Sequence, residues 1–173
     1  MLYGALIRRQ GKRLIHDEEF RTYTYSIVGI SLIIGIGLLL TRTFDGFSTI
    51  EKSFRDALFQ TVATITTTGF TTSNYMTWHP ILWLIILLAI PMGGTAGSTS
   101  GGIKTIRLHI MAKNILYEFK RVMHPKAIRP VRVNRRIVSE NTLSNTYVFL
   151  SIFLIITIAS SIVLMMCGIS PSE

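Results

Sequence analysis

Acidic side chains are scarce in this sequence. Nine Asp and Glu stand against 18 Lys and Arg, a formal net charge of +9 over 173 residues, and none of the nine lies between Asp56 and Glu118. That gap excludes paired-carboxylate acid–base chemistry from the middle of the chain, and Glu51, Asp56 and Glu118 form no obvious acid pair. Cysteine is nearly missing too. The lone Cys167 sits in an apolar run and can form neither an intrachain disulfide nor a thiolate metal site. His16, His79, His109 and His124 are scattered without metal-ligand spacing. With no nucleophile placed beside a base, the chain is not expected to be an enzyme. Charge of either sign is thin: 16% of residues are charged and 49% are hydrophobic, where soluble domains carry about 25% charged residues. The deficit points to a lipid environment.

The cations that are present are clustered. Arg8, Arg9, Lys12, Arg13 and Arg21 lie in 1–22, and Lys104, Arg107, Lys113, Lys120, Arg121, Lys126, Arg129, Arg132, Arg135 and Arg136 lie in 104–136. Only Arg42, Lys52 and Arg55 lie elsewhere. The basic runs carry no interleaved ladder of stacking aromatics, so nucleic acid is not an expected partner. They flank apolar segments instead, as cytoplasmic loops do under the positive-inside rule. The opening MLYGALIRRQGKR does not read as a signal peptide, because its apolar stretch is short and its charges follow rather than precede it.

Residues 1–22 are polar and basic, with an acidic patch at Asp17, Glu18 and Glu19, and read as a cytoplasmic N-terminal segment. Tyr23 to Thr41 carries no charge. At about 1.5 Å per residue it is long enough for a hydrocarbon core of about 30 Å, so a transmembrane helix is predicted over 23–42. Asp45-Gly46 marks a turn. Ser48 followed by Glu51 has the spacing of a capping box. Ile50, Phe54, Ala57, Leu58, Val62 and Ile65 then recur at helical spacing. They predict a pore helix over 49–65, too short and too charged at its start to span, which enters from one side and stops partway. Pro80 to Met92 is apolar but also too short to cross. It runs into GGTAGSTSGG at 93–102, and 80–112 reads as one crossing helix broken by that stretch. A basic cytoplasmic loop follows at 113–141, and 142–173 begins a further repeat with a transmembrane helix over 146–169. The expected fold class is all-α and integral to the membrane. A helix, a pore helix, a filter and a broken helix make one repeat over 23–112, and one more transmembrane helix follows.

Two stretches carry the expected chemistry. Residues 66–72 follow the partial helix, and Thr67, Thr68, Gly69, Phe70 and Thr71 form a candidate ion filter. Backbone carbonyls of an extended segment can replace the water around a potassium ion. Gly69 permits backbone angles that aim successive carbonyls at one axis, threonine hydroxyls add oxygen, and the negative end of the preceding helix favours a cation. The second stretch is Gly93, Gly94, Thr95, Ala96, Gly97, Ser98, Thr99, Ser100, Gly101 and Gly102. Its small residues suit either close helix packing or an unwound segment in an ion pathway. It approaches a phosphate-binding loop, but Ile103 separates Gly102 from Lys104, so no nucleotide site is expected. Lys104 and Arg107 follow, either snorkelling to the cytoplasmic interface or acting as gate charges against the mobile segment.

Taken together, TTTGFTTSNY, PMGGTAGSTSGGIKTIRL and HPKAIRPVRVNRR resemble the Trk/Ktr/HKT potassium transporter superfamily, most of all its bacterial TrkH type. The likeness covers nearly the whole chain; the glycine stretch with IKTIRL is its most specific part, and DEEFR at 17–21 resembles the start of the third repeat. The resemblance implies four repeats around one pore, with this chain supplying the third and the first helix of the fourth. It implies potassium uptake through a multi-pass subunit of the bacterial inner membrane, with Gly69 as the filter glycine and 93–102 as an intramembrane gating loop. Potassium would be substrate, at the filter only, and no cofactor would be covalently bound. Beyond the lipid bilayer, the implied partners are a second copy of the full-length subunit and a cytosolic, nucleotide-binding Rossmann-type regulatory ring facing 104–136. A pore needs four filter loops and this chain holds one, so it is expected to be a fragment that does not conduct alone. The alternative is a helical membrane protein with a structural or assembly role, whose glycines only pack helices.

Single cysteines introduced at 67–71 and 93–102 separate the two readings. A pore predicts modification by a water-soluble thiol reagent, with potassium or thallium protecting these positions; inert, lipid-buried positions would point to packing.

Overall fold

The acidic patch ahead of the first apolar run is a helix start. The computed structural model describes residues 16–41, 47–123, 131–134 and 136–167, and its first helix, α1, runs Glu18–Thr41. Asp17 Oδ1 accepts the Glu19 N–H at 2.9 Å, and the Asp17 carbonyl accepts the Arg21 N–H at 3.1 Å. Asp17 therefore caps the helix, and Glu18 and Glu19 occupy the positive end of its dipole. The start expected at Tyr23 is moved back accordingly. Most of residues 1–22, with their cationic cluster before Arg21, lie outside the described residues.

Helix α2 runs Phe47–Ile65. The Asp45-Gly46 turn lies outside the described residues, and Ser48, expected to cap, is already within the first turn. The apolar spacing in α2 names its buried face only in part: Ala57 and Ile65 are buried. Leu58 and Val62 are 50% and 36% exposed, whereas Ser53, Ala57 and Thr61 are at most 1% exposed. The reason is size. Small side chains let a neighbouring helix approach: Ala57 packs with Ile34 and Leu38 of α1, and Phe54 lies so close to Gly35 of α1 that a Cβ there would stand 2.7 Å from its Cδ1. A 3₁₀ turn at Tyr75–Thr77 follows, with Asn74 Oδ1 accepting the Met76 N–H at 3.1 Å. Helix α3 is Pro80–Ala89, with proline at its first position, where a missing N–H costs nothing. The chain then leaves helical geometry until α4, Thr105–Met123.

Helix α4 runs past residue 112, so 113–123 is helix where loop was expected. His124, Pro125, Lys126, Arg129, Pro130 and Arg135 lie outside the described residues. A short hairpin occupies part of the expected loop: β1 (Arg132–Val133) pairs antiparallel with β2 (Arg136–Ile137). Its turn contains Asn134 at φ +48°, a residue that tolerates the left-handed region. The last helix, α5, is Glu140–Met166. It begins before Thr146 because Ser139 caps it, with Oγ accepting the Thr142 N–H at 3.3 Å. Residues 168 and 169, the expected end, lie outside the described residues.

The fold is mostly helical and divides into two compact units, Met1–His109 and Ile110–Glu173. In the first, Ile34 and Leu38 of α1 pack with Ala57 of α2 and with Trp78, Leu82 and Ile86 around α3. In the second, Asn114 Nδ2 donates to Tyr147 Oη at 2.6 Å, and Lys113 Nζ donates to the Arg132 carbonyl at 2.9 Å. By length and composition α1 and α5 can each cross a membrane. The 24 residues of α1 span about 36 Å.

Gly35→Val is expected to overpack the α1–α2 contact and destabilise the protein by about 1–3 kcal/mol, with Gly35→Ala costing less. Thermal unfolding of the purified protein in detergent checks this; an unshifted Tm for the valine variant would contradict the close approach.

Candidate functional site

At the end of α2 the backbone turns back on itself. The N–H groups of Thr66, Thr67 and Thr68 donate to the carbonyls of Val62, Thr64 and Ala63 at 2.9–3.1 Å, and Gly69 N–H reaches Ala63 O at 3.5 Å. The amide donors of the segment at 66–69 are thereby consumed by the helix terminus. Its own carbonyls are not: among the described residues, none from Thr66 to Thr72 accepts a hydrogen bond. Gly69 sits at φ +78° and Thr67 at φ +56°. Glycine takes that conformation freely, but for a β-branched residue it is a genuine outlier, costing about 1–3 kcal/mol unless its surroundings enforce it. Thr67 is held on both sides: its N–H is bound to Thr64, and its Oγ1 accepts the Gly101 N–H at 2.9 Å. Thr66 Oγ1 donates to the Val62 carbonyl and lies 2.7 Å from Thr68 Oγ1. Residues 67–72 are exposed, with Phe70 at 70%. Gln60, Thr64, Thr67, Gly69 and Tyr75 border a cavity of about 260 Å³ beside the segment.

The glycine stretch is unwound. It closes at its base, where Met92 and Ile103 form a parallel bridge, Gly93 N–H donates to Ile103 O, and Ile103 N–H donates to Pro91 O, both at 2.8 Å. Thr105, 3% exposed, seals that base from α4: its Oγ1 donates to Gly93 O at 2.8 Å and its N–H to Gly94 O at 3.1 Å. Above the base, Ser100 Oγ accepts the Gly94 N–H, and Ser98 Oγ lies 2.8 Å from Ser100 Oγ. Lys104 Nζ donates to the carbonyls of Ser98 and Ser100. Gly93 and Gly102 are required by space. A Cβ on Gly93 would stand 2.4 Å from Gly101 O, and one on Gly102, at φ +72°, would stand 2.8 Å from Pro91 O.

The structure brings the two sequence-predicted stretches together through Thr67 and Gly101. The stretch 93–102 is unwound and folds against its own backbone. Lys104 is engaged by the loop. Its ammonium group lies inside the loop, because two carbonyls turned toward it offer charge-assisted bonds there. Arg107 lies in the first turn of α4. Sequence reasoning missed Glu19. It is 8% exposed, and its carboxylate accepts the Ala96 N–H across 77 residues of chain. It also missed that Glu18 and Thr22 of α1 take both ring nitrogens of His109 in α4, at 3.3 and 2.9 Å. A hint was present, in acids placed beside a long apolar run in a chain short of acids; their partners are distant and carry no local signal. Among the described residues no His, Cys, Asp and Glu cluster could hold a metal ion.

Comparison with known proteins gives the family of the chain. Residues 41–171 match the TrkH family, described as cation transport protein. The chain is 30% identical over 168 residues to the Trk system potassium uptake protein TrkH of Escherichia coli K12, covering 96% of this chain and 34% of that protein. It is 28% identical over 166 residues to the Trk system potassium uptake protein TrkG of the same organism, covering 94% of this chain and 33% of that one. The crystal structure of the potassium transporter TrkH from Vibrio parahaemolyticus superimposes with a TM-score of 0.83 at 30% identity, over 92% of this chain and 33% of that chain. The chain spans about a third of the length of these relatives.

Glycine-to-alanine changes test the loop geometry. Gly93→Ala and Gly102→Ala are expected to weaken the base by about 1–2 kcal/mol, the latter from a forced positive φ, and to speed amide exchange at Ile103. Gly101→Ala, whose Cβ would meet nothing closer than 3.8 Å, should leave that exchange near the parent rate. Equal rates in all three variants would contradict this packing.

Proposed function

The chain belongs to the TrkH family of cation transport proteins, and from that premise we propose that it forms one filter-bearing repeat, with the first helix of the next, of a potassium uptake pore. The observation that carries this reading is the segment 66–72, whose first four amides, Thr66 to Gly69, are spent on the end of α2 while its carbonyls remain unengaged among the described residues. Backbone carbonyls at membrane depth must face protein, water or an ion. A row of them beyond the negative end of a half-length helix suits a dehydrated potassium ion. In this reading α1 is the outer helix, α2 the pore helix, Thr67, Thr68, Gly69, Phe70 and Thr71 the filter, and Gly69 the hinge that lets the carbonyls line one axis. The loop from Gly93 to Gly102, between α3 and α4, gates the pathway below, and α5 opens the next repeat.

Potassium is the transported ion and needs no side-chain cage, in keeping with the missing carboxylates between Asp56 and Glu118. The names of the relatives, potassium uptake proteins of Escherichia coli, support the choice of ion. The complete pore draws its other filter loops from sequence beyond this third of the subunit. The subunit works as a multi-pass protein of the bacterial inner membrane and pairs with a second copy. A cytosolic nucleotide-binding ring would meet the basic surface of 104–136.

Gly69→Asp in the full-length subunit is expected to cut potassium uptake by about tenfold or more, because a side chain and a fixed charge enter the carbonyl row, and to abolish growth at low potassium. Unchanged uptake would overturn the filter assignment. Deletion within 94–101 is expected to raise flux; an unaltered flux would overturn the gate assignment.

A further inference from the structure

We propose that Glu19 is a positioning residue that latches the 93–102 loop, so that the loop leaves its observed position only when this carboxylate gives up the Ala96 N–H. The proposal rests on the gating reading of that loop and names the device that restrains it. Nothing charged lies between Gly93 and Ile103, and Ala96, Gly97 and Thr99 are exposed. Beyond its closed base, the loop has no apolar anchor and depends on a few hydrogen bonds, the condition under which a segment opens locally. Two of its partners are ionic. Glu19 takes an N–H on one limb, and Lys104 donates to the Ser98 and Ser100 carbonyls on the other. Such bonds are roughly twice as strong as neutral ones. The remaining contact, Gly101 N–H to Thr67 Oγ1, is neutral.

The two charges are not equivalent. Lys104 joins the loop to α4, so its ammonium is carried along when the loop moves. Glu19 is distant in sequence and fixed to a helix that the loop does not carry. Asp17 caps the helix at the Glu19 N–H, and the neighbouring Glu18 and Thr22 engage His109. The carboxylate sits in the first turn of α1, where the helix dipole favours an anion. At 8% exposure it meets little water, so losing the loop amide leaves a buried charge short of a donor. That penalty draws the loop back. Breaking this contact is therefore the step that separates the loop from the rest of the repeat.

The test uses the full-length subunit in lipid vesicles, with hydrogen–deuterium exchange of the peptide covering 93–102 and rubidium flux measured on the same samples. Glu19→Ala is expected to speed loop exchange by about tenfold, as loss of one charge-assisted bond to a buried group implies, and to raise basal flux. Glu19→Gln keeps the shape and an acceptor oxygen, so it should fold and show a smaller rise in both. Unchanged exchange in both variants would overturn the latch, whatever the flux. Faster exchange with unchanged flux, in a subunit whose 94–101 deletion does raise flux, would overturn the restraint of the gate by Glu19. If that deletion leaves flux unaltered, the gating reading itself fails, and the exchange data alone then show whether Glu19 holds the loop.

Discussion

A backbone that leaves helical geometry where water is scarce must still satisfy its N–H and C=O groups. Two of the stretches where this chain leaves helical geometry, 66–72 and 90–104, use their backbone groups in opposite ways. The loop turns inward: its amides and carbonyls meet each other, two serine hydroxyls, Thr105 and Lys104. The segment after α2 spends the amides of 66–69 on the helix terminus, and its carbonyls meet no hydrogen-bond donor among the described residues. Nearly every local feature of the repeat follows from this division. Gly93 and Gly102 let two strands of backbone close without a side chain between them, and Gly69 lets the backbone reverse its hand.

The two irregular segments are physically joined. Thr67, held in a conformation a β-branched residue avoids, uses its hydroxyl to receive the Gly101 amide. Strain of this kind persists only where neighbours enforce it. In the proposed pore, filter and gate would therefore share a hydrogen bond, and a shift of one would be felt by the other. The first turn of α1 is the second meeting point. Three consecutive acids there have three tasks: Asp17 caps the helix, Glu18 binds His109 and Glu19 binds the loop.

Helices were legible where composition decides them. α1 and α5 are long, apolar and uncharged over most of their length, and no other element offers such a stretch a stable place. Their ends were misplaced because a capping side chain, Asp17 or Ser139, starts a helix before its apolar face begins. The interior face of α2 is only partly legible from apolar spacing, for a different reason. Apolar periodicity assumes that burial follows hydrophobicity, but where two helices meet at small residues, closeness of approach decides, and Ser53, Ala57 and Thr61 win the inside.

The sequence by itself determined the class of the protein. Scarce charge, clustered cations and two stretches rich in glycine or threonine leave few arrangements for a chain that must shield its backbone in lipid. Only the tertiary structure decided how the glycine stretch is folded, which carbonyls Lys104 meets and which amide Glu19 accepts. Those outcomes depend on atoms brought together across tens of residues, 77 of them between Glu19 and Ala96. Spacing along the chain reports which residues can share a helix face; it holds no record of which distant amide a buried carboxylate will meet.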